Sequence, residues 1–211
     1  MSRTVKPSYR FYRRAYRVAR AGMAVLFRFE VKGRENIPTG AAMVCSNHSS
    51  SFDPLFIAFA FGIDCFMHFI AKIELYRFSI VAFVMKKLGT IRVNRGMMDV
   101  ATIKMTLEYF ANNEKVAIFP EGTRTSETEH VAAKNGAVKI AERAGVPLIP
   151  VFVPRRKKLF RKVTLVIGEP YYIEKQSEKR SSDEYLRLAE QLMSNIEALK
   201  PTIQSAHNAE N

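Results

Sequence analysis

The alternation of short apolar runs with longer amphipathic stretches constrains this chain more than any other feature. Runs with strand character fall at 29–32, 41–45, 66–71, 91–93, 116–119, 146–153 and 163–167. Between and around them, helical patterns occupy 9–27, 54–61, 79–87, 99–112, 131–144 and 181–199. Strands that alternate with helices in this way build an α/β fold, with a mostly parallel central sheet flanked by helices. Glycines punctuate the pattern: Gly62, Gly89 and Gly145 each follow a helical run, where a glycine ends a helix easily. The last helix opens with a capping box, Ser181 with Glu184, and carries the apolar stripe Tyr185, Leu188, Leu192, Ile196, Leu199.

In sheets of this kind the loops at the carboxyl ends of the strands carry the sites. One such loop follows the 41–45 strand: Asn47-His48-Ser49-Ser50-Ser51-Phe52-Asp53-Pro54. Asp53 before Pro54 reads first as a helix N-cap with proline at the first helical position. The same spacing also lets the loop fold the Asp53 carboxylate back onto the His48 imidazole. The carboxylate then accepts one ring N–H, and the other ring nitrogen stays free to take a proton, which makes a general base. A second loop of this type, Phe119-Pro120-Glu121-Gly122-Thr123-Arg124-Thr125, follows the 116–119 strand.

Charge narrows the partners. The chain has 33 Lys+Arg against 20 Asp+Glu, a formal net charge of +13. A surface this basic seeks nucleic acid, an anionic membrane or anionic substrates. No RNA-binding or zinc-finger signature is present, so nucleic acid is not expected. Cys45 and Cys65 lie in apolar runs without metal-ligand spacing and read as reduced core residues of a cytosolic protein. No metal site is expected. His68 reads as a core or edge residue, not a ligand. The first residues lack the apolar centre of a cleavable signal peptide. No apolar run reaches the roughly 18 residues a membrane span needs.

The segment 1–28 is expected to be an amphipathic helix for membrane association, 29–200 a catalytic domain, and 201–211 a disordered polar tail. Arg10, Arg13, Arg14, Arg17 and Arg20 fall within an arc of roughly 120° on a helical projection. Phe11, Tyr12, Tyr16, Met23 and Leu26 fill much of the remainder. Such a helix, about 28 Å long, suits a membrane interface; the alternative is a helix packed on the domain with its arginines in water.

Four blocks occur in order: Asn47-His48-x-x-x-x-Asp53, Gly89 to Arg95, Phe119 to Thr125, and Val146-Pro147-Leu148-Ile149-Pro150. The chain resembles the lysophosphatidate acyltransferase (PlsC-like) family of glycerolipid acyltransferases in all four. The resemblance implies transfer of a fatty acyl group from an acyl thioester, on coenzyme A or acyl carrier protein, to the sn-2 hydroxyl of 1-acyl-sn-glycerol-3-phosphate. It implies no cofactor and no covalent acyl-enzyme, so the three serines after His48 need not be nucleophiles. His48 would be the base and Asp53 its orienting partner. Arg124 can hold a phosphate through its planar fork, with Gly122 giving room and Thr123 donating a hydroxyl. Lys72 and Arg95 are further phosphate candidates. Glu121 would orient Arg124 or accept a substrate hydroxyl, and the proline block would shape the acyl-chain side.

The resemblance places the protein at the cytoplasmic face of the membrane, peripheral or monotopic, among anionic phospholipids. The cluster Arg155, Arg156, Lys157, Lys158, Arg161, Lys162 reads as a grip on anionic lipid, carrier protein or coenzyme A phosphates, or as a solvated loop. Other classes remain beside this reading: an acyltransferase for another lysolipid, a non-catalytic basic binding protein, and a hydrolase. The last lacks a Gly-x-Ser-x-Gly elbow.

Overall fold

The computed structural model describes residues 7–94, 99–126, 129 and 131–200. Seven strands form one sheet: β1 (Arg28–Lys32), β2 (Ala42–Ser46), β3 (Met67–Lys72), β4 (Ile91–Val93), β5 (Lys115–Ile118), β6 (Leu148–Phe152) and β7 (Lys162–Ile167). Among the described residues six α-helices accompany them: α1 (Tyr9–Leu26), α2 (Asp53–Phe61), α3 (Ser79–Lys87), α4 (Val100–Ala111), α5 (Gly136–Ala144) and α6 (Ser182–Ala198). The sheet order is β1-β7-β6-β2-β5-β3-β4. All neighbouring pairs are parallel except β6 and β7, which run antiparallel through Val151↔Ile167 and Phe152↔Val166. The α/β, mostly parallel reading therefore holds.

Period-two alternation divides the core. Ala42 and Val44 face one side of the sheet with Phe56, Phe59, Met23 and Phe27; Met43 and Cys45 face the other with Phe110, Val138, Leu192 and Ile196. Helices α1 and α2 thus cover one face, and α4, α5 and α6 the other. Pro150 lies inside β6, where a missing N–H would ordinarily break a ladder. Its carbonyl accepts from Gly168 N at 2.8 Å, next to the last paired residues Val151↔Ile167, so the proline sits at the end of the β6–β7 pairing and only the reciprocal donor to β7 is missing. The α6 capping box forms as read, with Glu184 N on Ser181 Oγ and Ser181 N on Glu184 Oε2.

One expected boundary changes. The helix expected at 131–144 starts only at Gly136, because Lys134 N is bonded to Pro120 O at 2.9 Å and holds the preceding residues against the Glu121 loop. The aromatic face of α1 is used inside the protein. Tyr12 and Met23 are buried, Tyr12 Oη donates to Cys65 O at 2.8 Å, and Tyr16 meets Phe59 edge-on at 5.2 Å. Arg10, Arg14 and Arg17 stay exposed, while Arg13 approaches Asp64 at 3.7 Å and Arg20 lies over Phe29. Cys45 is buried, Cys65 only half-buried, and neither forms a disulfide. Arg95 and the 201–211 tail lie outside the described residues.

Direction matters for the site. β2, β3, β5 and β6 all end at one edge, so their following loops meet there. β1 and β7 run the opposite way, so the β6–β7 connection and the end of α1 also arrive at that edge.

Candidate active site

The loop after β2 is anchored by Asn47, which is fully buried. Its Nδ2 donates to Val153 O and its Oδ1 accepts from Val153 N, both at 2.8 Å. This pair ties the loop to the start of the β6–β7 connection. From that anchor the chain curls so that Asp53, the first residue of α2, points back into its own loop. Asp53 is completely buried, and its Oδ2 accepts from Ser49 N and Ser50 N at 2.7 Å and contacts His48 Nδ1 at 2.9 Å. Asp53 therefore does not act as the expected N-cap; Phe52 occupies that position. The loop N–H groups take the carboxylate instead.

Opposite this, Lys157 Nζ sits 2.7 Å from Asp53 Oδ1 and donates to Ser49 Oγ at 3.0 Å. Burial opposes the charged form of Asp53, but the His48, Lys157 and Ser49 contacts outweigh it and hold the carboxyl below its usual range. An ionised Asp53 fixes the proton on His48 Nδ1, assigned here from the contact. His48 Nε2 then has no protein partner among the described residues, and 18% of the side chain remains open. Phe119 stacks on the ring at 4.0 Å and holds its plane.

The loop after β5 closes the other side. Thr125 N donates to His48 O at 2.8 Å. Glu121, only 3% exposed, accepts from Thr125 Oγ1 at 2.7 Å, from Arg155 at 3.3 Å and from His48 N at 3.4 Å. Arg155 continues to Glu197 on α6 at 2.6 Å. The guanidinium facing Glu121 is thus Arg155, not Arg124. Arg124 is exposed and donates to Ser51 Oγ at 2.9 Å. Gly122 has φ +66, and a Cβ there would land 2.7 Å from the Lys134 side chain, so the close approach it permits is to Lys134. Thr123 is exposed beside it, and Lys72 ends β3 at the same edge.

The structure thus gathers His48, Asp53, Glu121, Gly122, Thr123, Arg124 and Lys72 at one edge. Reading the sequence did not single out Asn47 or Lys157, and it left Arg155 inside an undifferentiated basic run. For Arg155 and Lys157 the position just after β6 was the available signal, but it required knowing that β6 lies beside β2. His68 is buried as expected, stacked on Tyr109 and bonded to Glu114 at 3.1 Å, well inside the β3–β4 side of the sheet.

The edge thus holds an imidazole with one ring nitrogen open, backed by a buried carboxylate, and an exposed guanidinium on the neighbouring loop. The acyltransferase family model matches residues 28–154, more than half of the chain. The chain belongs to this acyltransferase family and is an acyltransferase. It is 32% identical over 186 residues to the 1-acyl-sn-glycerol-3-phosphate acyltransferase of Bacillus subtilis, covering 85% of this chain and 88% of that protein. It is 32% identical over 139 residues to the enzyme of that name from Borreliella burgdorferi, covering 63% of this chain and 53% of that one. A crystal structure of the 1-acyl-sn-glycerophosphate (LPA) acyltransferase PlsC from Thermotoga maritima superposes with a TM-score of 0.63 at 27% identity, over 91% of this chain and 78% of that one.

Proposed function

We propose that this acyltransferase moves a fatty acyl group from an acyl thioester to the sn-2 hydroxyl of 1-acyl-sn-glycerol-3-phosphate, giving phosphatidate for phospholipid biosynthesis. The observation that carries the reading is the His48 Nδ1–Asp53 Oδ2 contact at 2.9 Å with Nε2 left open. The names of the relatives support the acceptor. His48 Nε2 takes the hydroxyl proton as the oxygen attacks the thioester carbonyl, and Asp53 stabilises the imidazolium. The tetrahedral intermediate then collapses: the C–S bond breaks, the new ester C–O bond remains, and the proton passes from Nε2 to the leaving thiolate. The acceptor hydroxyl is itself the nucleophile, so the step needs no covalent enzyme intermediate and no cofactor.

Arg124 holds the acceptor phosphate, assisted by Lys72, the Thr123 hydroxyl and the Gly122 turn. Glu121 serves this site through Arg155 and Thr125, which keep the two loops together. Coenzyme A or acyl carrier protein supplies the thioester. The protein works peripherally on an anionic phospholipid surface at the cytoplasmic face of the membrane. None of the described helices is long and apolar enough to cross a membrane. The exposed Arg10, Arg14 and Arg17 of α1 face the lipid phosphates.

The test is phosphatidate formation from lysophosphatidate with each thioester donor in turn, using the purified chain and its His48→Ala variant. The parent forms phosphatidate and His48→Ala does not. Near-normal turnover in a folded His48→Ala enzyme would end the general-base reading. Turnover only with a different lysolipid would replace the acceptor.

A further inference from the structure

Between β6 and β7 the sequence runs Arg155-Arg156-Lys157-Lys158-Leu159-Phe160-Arg161-Lys162, six cations and no acid. The structure sorts them. Arg155 and Lys157 turn inward to Glu121 and Asp53, and Lys162 approaches Glu30 at 3.2 Å. Lys158 and Arg161 stay exposed, and between them the chain makes a tight turn, closed by Arg161 N on Lys158 O at 3.3 Å. Leu159 and Phe160 form its tip and are 58% and 67% exposed.

Phe160 has φ +61, a left-handed conformation in which a bulky residue is an outlier and glycine the usual occupant. An outlier of this kind points to a use for the side chain it presents. Phe160 N also donates to Leu26 O at 2.6 Å, which joins the tip to the end of α1, where Val25 and Leu26 are exposed too. The result is one apolar prominence, rimmed by cations, at the sheet edge that holds His48 and Arg124.

We propose that this turn is the point at which the protein enters an anionic bilayer. Leu159 and Phe160 insert among the lipid headgroups, and Lys158 and Arg161 pair with lipid phosphates. Charge complementarity selects the occupant: cations around an apolar tip match an anionic surface with an apolar interior. The inference rests on the lysolipid reading above and deepens it. The residues just before the turn reach the active site, so docking the tip sets His48 and Arg124 against the headgroup layer from which a lysolipid is drawn.

The chain has no tryptophan, so F160W carries a unique reporter. With vesicles of phosphatidylglycerol and phosphatidylcholine, its emission shifts to the blue and is quenched by lipids brominated on their acyl chains. Phe160→Gly suits the backbone and keeps the fold, but weakens vesicle partition roughly tenfold or more, as expected for losing one buried phenyl group. The same variant retains turnover on detergent-dispersed lysophosphatidate to within about twofold. The proposal is overturned if F160W emission ignores vesicles, if it responds to acyl carrier protein instead, or if F160G partitions like the parent. A parent that binds vesicles but acylates no lysophosphatidate in detergent would sink the substrate reading and leave the docking site standing.

Discussion

Lys157 Nζ lies 2.7 Å from Asp53 Oδ1, on the side of the carboxylate opposite His48. Asp53 is therefore held by four groups: an imidazole and two backbone N–H groups on one oxygen, an ammonium on the other. The ammonium neutralises the carboxylate without touching the imidazole, so it tunes the pair while the substrate side stays open.

Lys157→Met tests that role. The variant loses roughly tenfold in kcat, while the acceptor KM stays within about twofold, because Lys157 acts through Asp53. Without the ammonium the Asp53 carboxyl moves up toward its ordinary value, so the fall in stability on acidification is smaller than in the parent. Removing one partner of a buried pair also costs about 3 kcal/mol of stability, the low end for such pairs, because three N–H donors remain on the other oxygen. A raised acceptor KM with an unchanged kcat would mean that Lys157 binds substrate phosphate instead.

Asp53→Asn removes the charge but keeps the shape. Loss of the orienting carboxylate lowers kcat roughly a thousandfold or more. The sign of the stability effect follows from the direction of the shift. Asp53 is held below its ordinary value in the folded state, so its contribution is fully present above the unfolded value of about 3.9 and is lost as pH falls through the lower folded value. The parent should melt above D53N at neutral pH, and the gap should narrow below about pH 4. A gap that stays constant across that range would remove Asp53 ionisation from the account.

Much of this arrangement was legible in the chain, for physical reasons. The helical and extended periods placed every strand within a few residues, since a continuous apolar run such as 42–45 is a strand buried on both faces of the sheet. The His48 to Asp53 spacing could be read because the contact is local. The Asp53–Lys157 and Glu121–Arg155 pairs could not. They join loops after β2, β5 and β6, which become neighbours only through strand order, and a run of six cations does not reveal which two turn inward. The α1 projection showed two faces correctly but not what the aromatic face packs against. Tyr12 and Tyr16 suit a membrane interface and a protein core equally well, and in the structure they pack against Cys65 and Phe59.

Glu121→Gln separates a scaffold role from a substrate role. Both Glu121 oxygens meet protein groups, and the side chain is almost wholly buried. The amide keeps the volume but loses the ionic contact with Arg155, which keeps Thr125 and, as an ionic partner, the more exposed Glu197. Denaturant unfolding should show a loss of about 3 kcal/mol. Turnover should fall with little change in acceptor KM, since the loop that carries Thr125 and His48 loosens as a unit. An acceptor KM that rises with unchanged stability would place Glu121 on a substrate hydroxyl.

Arg124 offers the converse case. It is exposed, its contact with Ser51 Oγ is a single surface hydrogen bond, and no buried group among the described residues depends on it. Arg124→Ala should therefore leave stability within about 0.5 kcal/mol of the parent. If the guanidinium grips the acceptor phosphate, the same variant raises the acceptor KM about tenfold or more, as expected for losing a charge-assisted bidentate contact. Arg124→Lys restores the charge but not the planar fork, so it should recover only part of the affinity. The donor KM should stay nearly constant in both variants, because the thioester reacts at the His48 side. An acceptor KM unmoved by Arg124→Ala would shift the phosphate to Lys72, the other described cation assigned to it, and Lys72→Ala would then show the tenfold rise.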